Sequence, residues 1–280
     1  GLLNFDPKSN ACLHYRHDAN DTSSLSSDNV TKVYSDRSGT LWVGTQGGLD
    51  RFDPTTQTFK HYRFDPNDST TLRRNNIMDI LEDKAGVLWV AVYGGGLSKF
   101  DKRTGRFINF LPLARNPQSL STRFTWSLCE DRTGALWVGT GGGVNMYDRK
   151  MDRFALYGRD KNYNVELLDN NVYAIYEDPS QALWVGSLNG LNRFEIHGDG
   201  TTGPVTRYAN VTSSTRSEAN RVSAIYPRQP GRVGTLWLAT GVGLKTINPS
   251  TGKSTQFWPE REMNDPLYAI RQNGTDGLWL

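Results

Sequence analysis

The chain has 280 residues, 36% apolar and 11% aromatic, which is ample for a packed core and argues against intrinsic disorder. Lys+Arg 32 against Asp+Glu 29 leaves a net charge of +3, too balanced for a protein that grips a phosphate backbone, so no nucleic-acid partner is expected. No apolar run approaches the roughly 18 residues of a membrane span, and the first residues show no basic and apolar leader pattern, so no membrane insertion or targeting segment is expected within these residues.

In chain order, Gly1 to Pro7 reads as a short strand of a type that returns at Gly48 to Pro54. The segment from Asn76 onward shows a complete unit. Ile77 to Glu82 is predicted as strand A, Asp83 to Gly86 as a turn, and Val87 to Val92 as strand B. Gly94 to Gly96 make a tight connection, Leu97 to Phe100 is strand C, and Asp101 to Gly105 turn into strand D, Arg106 to Leu111. The plan recurs around Trp42, Trp137, Trp184 and Trp237. No helix of ten residues is needed anywhere.

Six of the eight Trp residues sit in Leu-Trp pairs, at 42, 89, 137, 184, 237 and 279, with spacings of 47, 48, 47, 53 and 42. A period in the forties without helical patterning predicts propeller blades of four strands. The expected fold is an all-β β-propeller of about six four-stranded blades, one domain over 1–280. Five units centre on Trp42, Trp89, Trp137, Trp184 and Trp237, and halves of a sixth lie at 1–27 and 264–280. The chain opens at a strand C and closes at a strand B, complementary halves of one blade. Two readings stay open: a closed six-bladed ring, or a fragment of a seven-bladed or tandem propeller.

The residues Asp36-Arg37-Ser38-Gly39-Thr40-Leu41-Trp42-Val43-Gly44-Thr45-Gln46-Gly47-Gly48-Leu49, repeated from Asp131 to Val144, resemble the two-component regulator propeller repeat. So does the upstream element from Ser24-Leu25 to Asn29-Val30, and from Thr71-Leu72 to Asn76-Ile77. The resemblance implies the extracytoplasmic sensing part of a bacterial sensor histidine kinase, hybrid two-component system or diguanylate cyclase, membrane-anchored and periplasmic. Such repeats build seven-bladed rings, often in tandem; six units depart from that count and favour a piece of a larger sensor.

Residue types that recur at one place in most units are expected to build the blade; places that differ are free to recognise something. The six Leu-Trp tryptophans are expected to pack blade against blade. Gly44, Gly139 and Gly186 are assigned, with the later Gly48, Gly96, Gly143, Gly190 and Gly243, to the B–C hairpin. Gly141-Gly142-Gly143 lacks the following helix that a phosphate cradle needs. Asp36, Asp83 and Asp131 are read as turn residues bonding their own backbone; Asp178 continues Pro179-Ser180-Gln181 without a glycine. His14 and His61 are read as surface strand residues, with His17 and His197 in loops. Cys12 and Cys129 are read as apolar fillers that do not bridge. No catalytic residue, metal site or cofactor is expected.

If the strands alternate in direction, the D–A loops and B–C hairpins share one end of each blade, and the repeated acidic turns share the other. The first end carries the disagreements: Gln46, Arg73, Arg74, Tyr93, Arg123, Trp126, Asn170, Tyr173, Asn189, Arg221 and Tyr268. Near the start of strand A the series runs Thr31, Met78, Trp126, Tyr173, Ser223, Tyr268. Arginine, amide and aromatic groups together suit a carbohydrate or other polar, small-molecule or oligosaccharide ligand. The leading expectation is a ligand-sensing propeller, in a full-length sensor that could act as a homodimer. A lyase- or glycosidase-like propeller enzyme and a protein-interaction scaffold are the alternatives.

Overall fold

The computed structural model describes residues 1–6, 8–158, 166–195, 202–209, 219–229, 234–257, 270–273 and 277–279. The first strands, β1 (Leu2–Asp6) and β2 (Ala11–Tyr15), form a two-stranded sheet. Next come β3 (Val30–Ser35), β4 (Leu41–Thr45), β5 (Gly48–Asp53) and β6 (Thr58–Tyr62), hydrogen-bonded in that order. The blade of the Asn76 unit is β7 (Ile77–Glu82), β8 (Leu88–Val92), β9 (Gly96–Asp101) and β10 (Arg106–Phe110), close to the predicted bounds. Then follow β11 (Thr125–Glu130), β12 (Leu136–Thr140), β13 (Gly143–Asp148) and β14 (Arg153–Tyr157). A further sheet contains β15 (Val172–Glu177), β16 (Ala182–Ser187), β17 (Gly190–Glu195) and β18 (Thr206–Tyr208). The last four-stranded sheet is β19 (Val222–Pro227), β20 (Leu236–Thr240), β21 (Gly243–Ile247) and β22 (Ser254–Gln256). Finally β23 (Arg271–Asn273) pairs with β24 (Gly277–Trp279).

The fold is an all-β propeller. Among the described residues five four-stranded meanders and two two-stranded sheets account for every strand, and no helix is long and apolar enough to cross a membrane. The chain divides into two compact units, Gly1–Leu128 and Cys129–Leu280.

Four of the five four-stranded blades are closed at the A–B turn by a buried aspartate. Asp36, Asp83, Asp131 and Asp178 are no more than 5% exposed. One carboxylate oxygen accepts the backbone N–H four residues on, from Thr40, Val87, Ala135 and Ala182. The other accepts the indole Nε1–H of the blade's own tryptophan: Trp42 at 3.0 Å, Trp89 at 2.6 Å, Trp137 and Trp184 at 2.8 Å. A carboxylate so deep is tolerated because several donors meet it. These aspartates therefore do more than make a turn. They aim the indoles, and the Trp42 ring meets Phe100 of the next blade edge-on at 5.3 Å. Trp137 packs likewise with Leu183 and Phe194, and Trp184 with Leu236 and Ile247. Trp237 has a different neighbour: the Arg228 guanidinium, 5.6 Å from its ring centroid.

Gly44 and Gly186 lie inside strand B, not in the hairpin, and their role is close approach. A Cβ on Gly44 would stand 2.7 Å from Ile77 Cγ2, and one on Gly186 2.7 Å from the Val222 carbonyl oxygen. The next blade's strand A therefore rests directly on the backbone of strand B.

Two further expectations are corrected. His61 is not a plain surface residue: its Nδ1 lies 2.7 Å from Asp50 Oδ1 and its Nε2 2.9 Å from the Thr22 carbonyl oxygen. Asp50 is fully buried and also accepts Ser26 N, so the pair fastens the loop before β3 to β5 and β6. Cys12 is exposed on the two-stranded β1–β2 sheet and Cys129 is half-buried, and neither forms a disulfide. His197 lies outside the described residues.

At the turn end, Lys102 Nζ bonds Asp36 at 2.7 Å and Glu82 at 2.6 Å, tying neighbouring blades. Burial pushes the Asp36 carboxyl upward, but the bonds from Lys102, Ser38, the Trp42 indole and Thr40 outweigh it and hold the group well below the usual carboxylate range.

The Asp178 turn has the same geometry as the others but places Gln181 at φ 68° where Gly39, Gly86 and Gly134 take 82°, 80° and 88°. A side chain in the left-handed region is strained, and glycine relieves that strain at some cost in unfolded-state entropy. Gln181→Gly is expected to raise stability by roughly 0.5–1 kcal/mol in urea denaturation; an unchanged or lowered midpoint would contradict the strain.

Candidate functional site

Antiparallel order within each sheet brings the start of strand A and the B–C hairpin to the same end. Backbone hydrogen bonds fix the two together. Gln46 N donates to the Asn29 carbonyl at 3.1 Å, Tyr93 N to Asn76 at 2.9 Å and Leu188 N to Asn171 at 3.1 Å. The hairpin is also fastened to the next blade's loop, through Gly96 N to the Arg123 carbonyl at 2.9 Å and Gly143 N to the Asn170 carbonyl at 2.7 Å. Loops that vary in sequence are thus held on a repeated backbone frame.

The variable place in strand A is a β-bulge. Pairing skips one residue between Val30 and Lys32, Ile77 and Asp79, Val172 and Ala174, and Val222 and Ala224. The residues so set aside are Thr31, Met78, Tyr173 and Ser223, and Trp126 occupies the corresponding place in β11. An extra residue in one strand bends it and re-aims the side chain. Substitution there disturbs no ladder bond.

In the unit Gly1–Leu128 the predicted residues converge around the β8–β9 hairpin. The Tyr93 ring lies 5.0 Å from Phe124 and 6.3 Å from Trp126, centroid to centroid. Tyr93 is 42% exposed and Phe124 40%, large apolar rings left at the surface. Thr125 locks the two blades beneath them, accepting Val92 N at 2.8 Å and donating to the Gly96 carbonyl at 2.7 Å. Arg74 runs beside the hairpin: its Cγ is 3.8 Å from where a Cβ on Gly94 would be, and its guanidinium lies 5.5 Å over the Phe64 ring. Arg74 and Arg123 are exposed, while Arg73 is half-buried. Among the described residues, Arg73 Nε, Asn76 Oδ1 and Ser127 Oγ are buried polar atoms without a hydrogen-bond partner. All three belong to the loop before β7 or to the start of β11. Buried polar atoms are normally paired, so an unmet group of them marks a place for water or a polar ligand.

Gln46 is committed elsewhere, accepting from Asn29 Nδ2 at 3.1 Å. In the unit Cys129–Leu280, Asn189 Nδ2 donates to Asp169 at 2.8 Å, and Asp169 also accepts from Asn171. The Arg221 guanidinium lies 5.9 Å over the Tyr173 ring. Asn170 contributes its carbonyl to the blade contact given above. Tyr268 lies outside the described residues. Phe124, Asn76 and Ser127 escaped sequence reasoning. Phe124 had a signal: it stands where three other units have Asn29, Asn76 and Asn171.

The two-component regulator propeller family matches four segments, residues 24–47, 71–94, 119–142 and 166–189. These segments are similar to two-component regulator propeller repeats and together make up less than half of the chain. Each matched segment runs from the Ser/Thr-Leu element or its counterpart to the B–C hairpin, and so contains one Asp–Trp bond. No curated protein matches the chain. Among solved structures, the extracellular domain of a protein assigned as a hybrid two-component system from B. thetaiotaomicron superposes with a TM-score of 0.74 at 20% identity, over 99% of this chain and 38% of that one. The extracellular domain of another, assigned as a one-component system from the same organism, gives 0.68 at 23%, over 91% and 33%. A catalytically inactive virginiamycin B lyase from Staphylococcus aureus gives 0.62 at 15%, over 89% and 76%. The chain thus spans little more than a third of the first two structures, and at these identities the likeness establishes the propeller fold alone.

If the three rings form a recognition surface and not a core, they should be dispensable for folding. Tyr93→Ala and Phe124→Ala are each expected to cost under about 1 kcal/mol, whereas Phe100→Ala, 2% exposed, costs about 3–5 kcal/mol. Chemical denaturation of the three variants checks this, and equal losses would make the rings structural.

Proposed function

We propose that this chain is the ligand-sensing propeller of an extracytoplasmic, membrane-anchored signal-transduction protein of the two-component type. It binds a carbohydrate or similar polar ligand at the end of the blades where the loops vary. The observation that carries this reading is the aromatic and arginine surface around Tyr93, Phe124 and Trp126, built on a frame of repeated sensor-type propeller units. Aromatic faces stack on the C–H faces of sugar rings, and guanidinium and amide groups supply directed hydrogen bonds. The extracellular two-component domains that share the fold support the placement outside the cytoplasm and the role in signalling, with the output domain beyond this chain.

The propeller itself binds without chemistry. The lyase shares the fold at 15% identity, and function lives in sites rather than folds. Signalling then requires that the ligand favour one arrangement of the full-length sensor, as monomer or homodimer, through differential affinity.

A panel of neutral and acidic oligosaccharides, screened by thermal shift and calorimetry against wild type and Trp126→Ala, tests the reading. At least one glycan is expected to stabilise the wild type and to bind the variant at least tenfold more weakly. No binding across the panel would remove the sugar reading, equal affinity would remove Trp126 from the site, and turnover of the bound glycan would make the protein an enzyme.

A further inference from the structure

The charge at the aromatic surface is one-sided. Arg73, Arg74 and Arg123 come from the two loops that flank the Tyr93 hairpin, and the carboxylates near them are already engaged. Asp79, three residues into β7 from Asn76, is ion-paired with Lys32 at 2.5 Å and accepts Leu128 N at 2.9 Å. Asp65 and Asp68, on the loop that leads to Arg73, are turned into their own backbone by Asn67 N and Thr70 N at 2.9 and 2.8 Å. Asp79 is thus matched by Lys32, and Arg74 and Arg123 remain exposed cations on the loops beside the rings.

Two of the three unpartnered buried atoms, those of Arg73 and Ser127, point the same way. Arg73 Nε is a donor with no acceptor, and it sits on the half-buried member of the three arginines. Ser127 is 7% exposed, and its buried hydroxyl is a second donor without an acceptor. An aliphatic or purely aromatic ligand offers these donors no acceptor, whereas an oxygen brought to this loop can meet the unpaired Arg73 N–H. A planar anion accepts from several N–H and O–H groups at once and matches the guanidinium fork.

Building on the sugar reading above, we infer that this site is selective for acidic sugars: a ring that stacks on Tyr93, Phe124 or Trp126 and bears a carboxylate read by Arg74 and Arg123, with Arg73 lining the deeper edge. Ring stacking sets affinity for the sugar; the arginines set the preference for charge. The acid contributes through charge-assisted hydrogen bonds, so binding falls as salt rises.

The test uses the 280-residue chain and two probes of equal length, oligogalacturonate and the same oligomer after reduction of its carboxyl groups. Calorimetry is run at low and high salt on wild type, Arg74→Ala, Arg123→Ala and the double variant. Both arginines are exposed, so the variants are expected to keep the wild-type melting midpoint. Binding of the acid at least tenfold tighter than the reduced oligomer, and a tenfold or greater loss in the double variant confined to the acid, is the expected result. Equal binding of both oligomers would overturn the charge preference and leave the sugar reading standing. Acid binding that the double variant retains would overturn the assignment to these arginines. Binding of neither oligomer would overturn the inference, and the glycan panel then decides separately whether any sugar is recognised.

Discussion

A single buried carboxylate, placed six residues before a tryptophan, organises four of the five four-stranded blades. It closes the A–B turn through the backbone and fixes the indole through Nε1–H, as at Asp36 and Trp42 or Asp178 and Trp184. Neither partner is easily replaced alone: without the donors the acid is a buried charge, and without the acid the indole loses its aim. The fixed indole in turn presents its ring to the next blade, so one local bond sets the spacing of the sheets. Strand B then narrows to glycine at Gly44 and Gly186, and the following strand A settles against bare backbone.

Because construction is concentrated at the turn end and in strand B, the opposite end is released from it. Backbone bonds between the hairpins and the loops before strand A hold that end in place whatever the side chains are. The bulge at the start of strand A sets aside one residue per blade that need not serve the ladder. Thr31, Met78, Tyr173 and Ser223 differ in size and polarity for this reason. Side chains at this end can therefore change without disturbing the blade that carries them.

The architecture was legible from the spacing of the Leu-Trp pairs, since a period in the forties has few structural solutions. Strand bounds followed within a residue or two in the Asn76 unit because Gly and Asp punctuate it. Long-range partnerships were less visible. The constant Asp-to-Trp spacing was present in the sequence, but turn chemistry alone explains an aspartate before glycine, and the indole contact appears only when the turn folds back. His61 looked like an exposed strand residue because its partner Asp50 lies on another strand. Gly44 looked like a hairpin residue because nothing in one unit shows the next blade arriving. At the variable end, Tyr93, Trp126 and the arginines stood out by differing from their counterparts. Phe124 differs from its counterparts too, yet a residue in a loop is easily passed over. Gln46 differs as well and turned out to be occupied by Asn29. Difference between units is thus a filter for recognition residues, which contacts must then refine.

The central claim is that the repeated residues hold the blades while the unlike residues at the strand-A end meet the ligand. Hydrogen–deuterium exchange with and without a bound oligosaccharide tests it most directly. Protection concentrated in segments 73–78, 92–96 and 122–127, with exchange at the turns 36–40 and 83–87 unchanged, is the predicted result. Protection confined to those turns, with the Tyr93 hairpin unaffected, would contradict it.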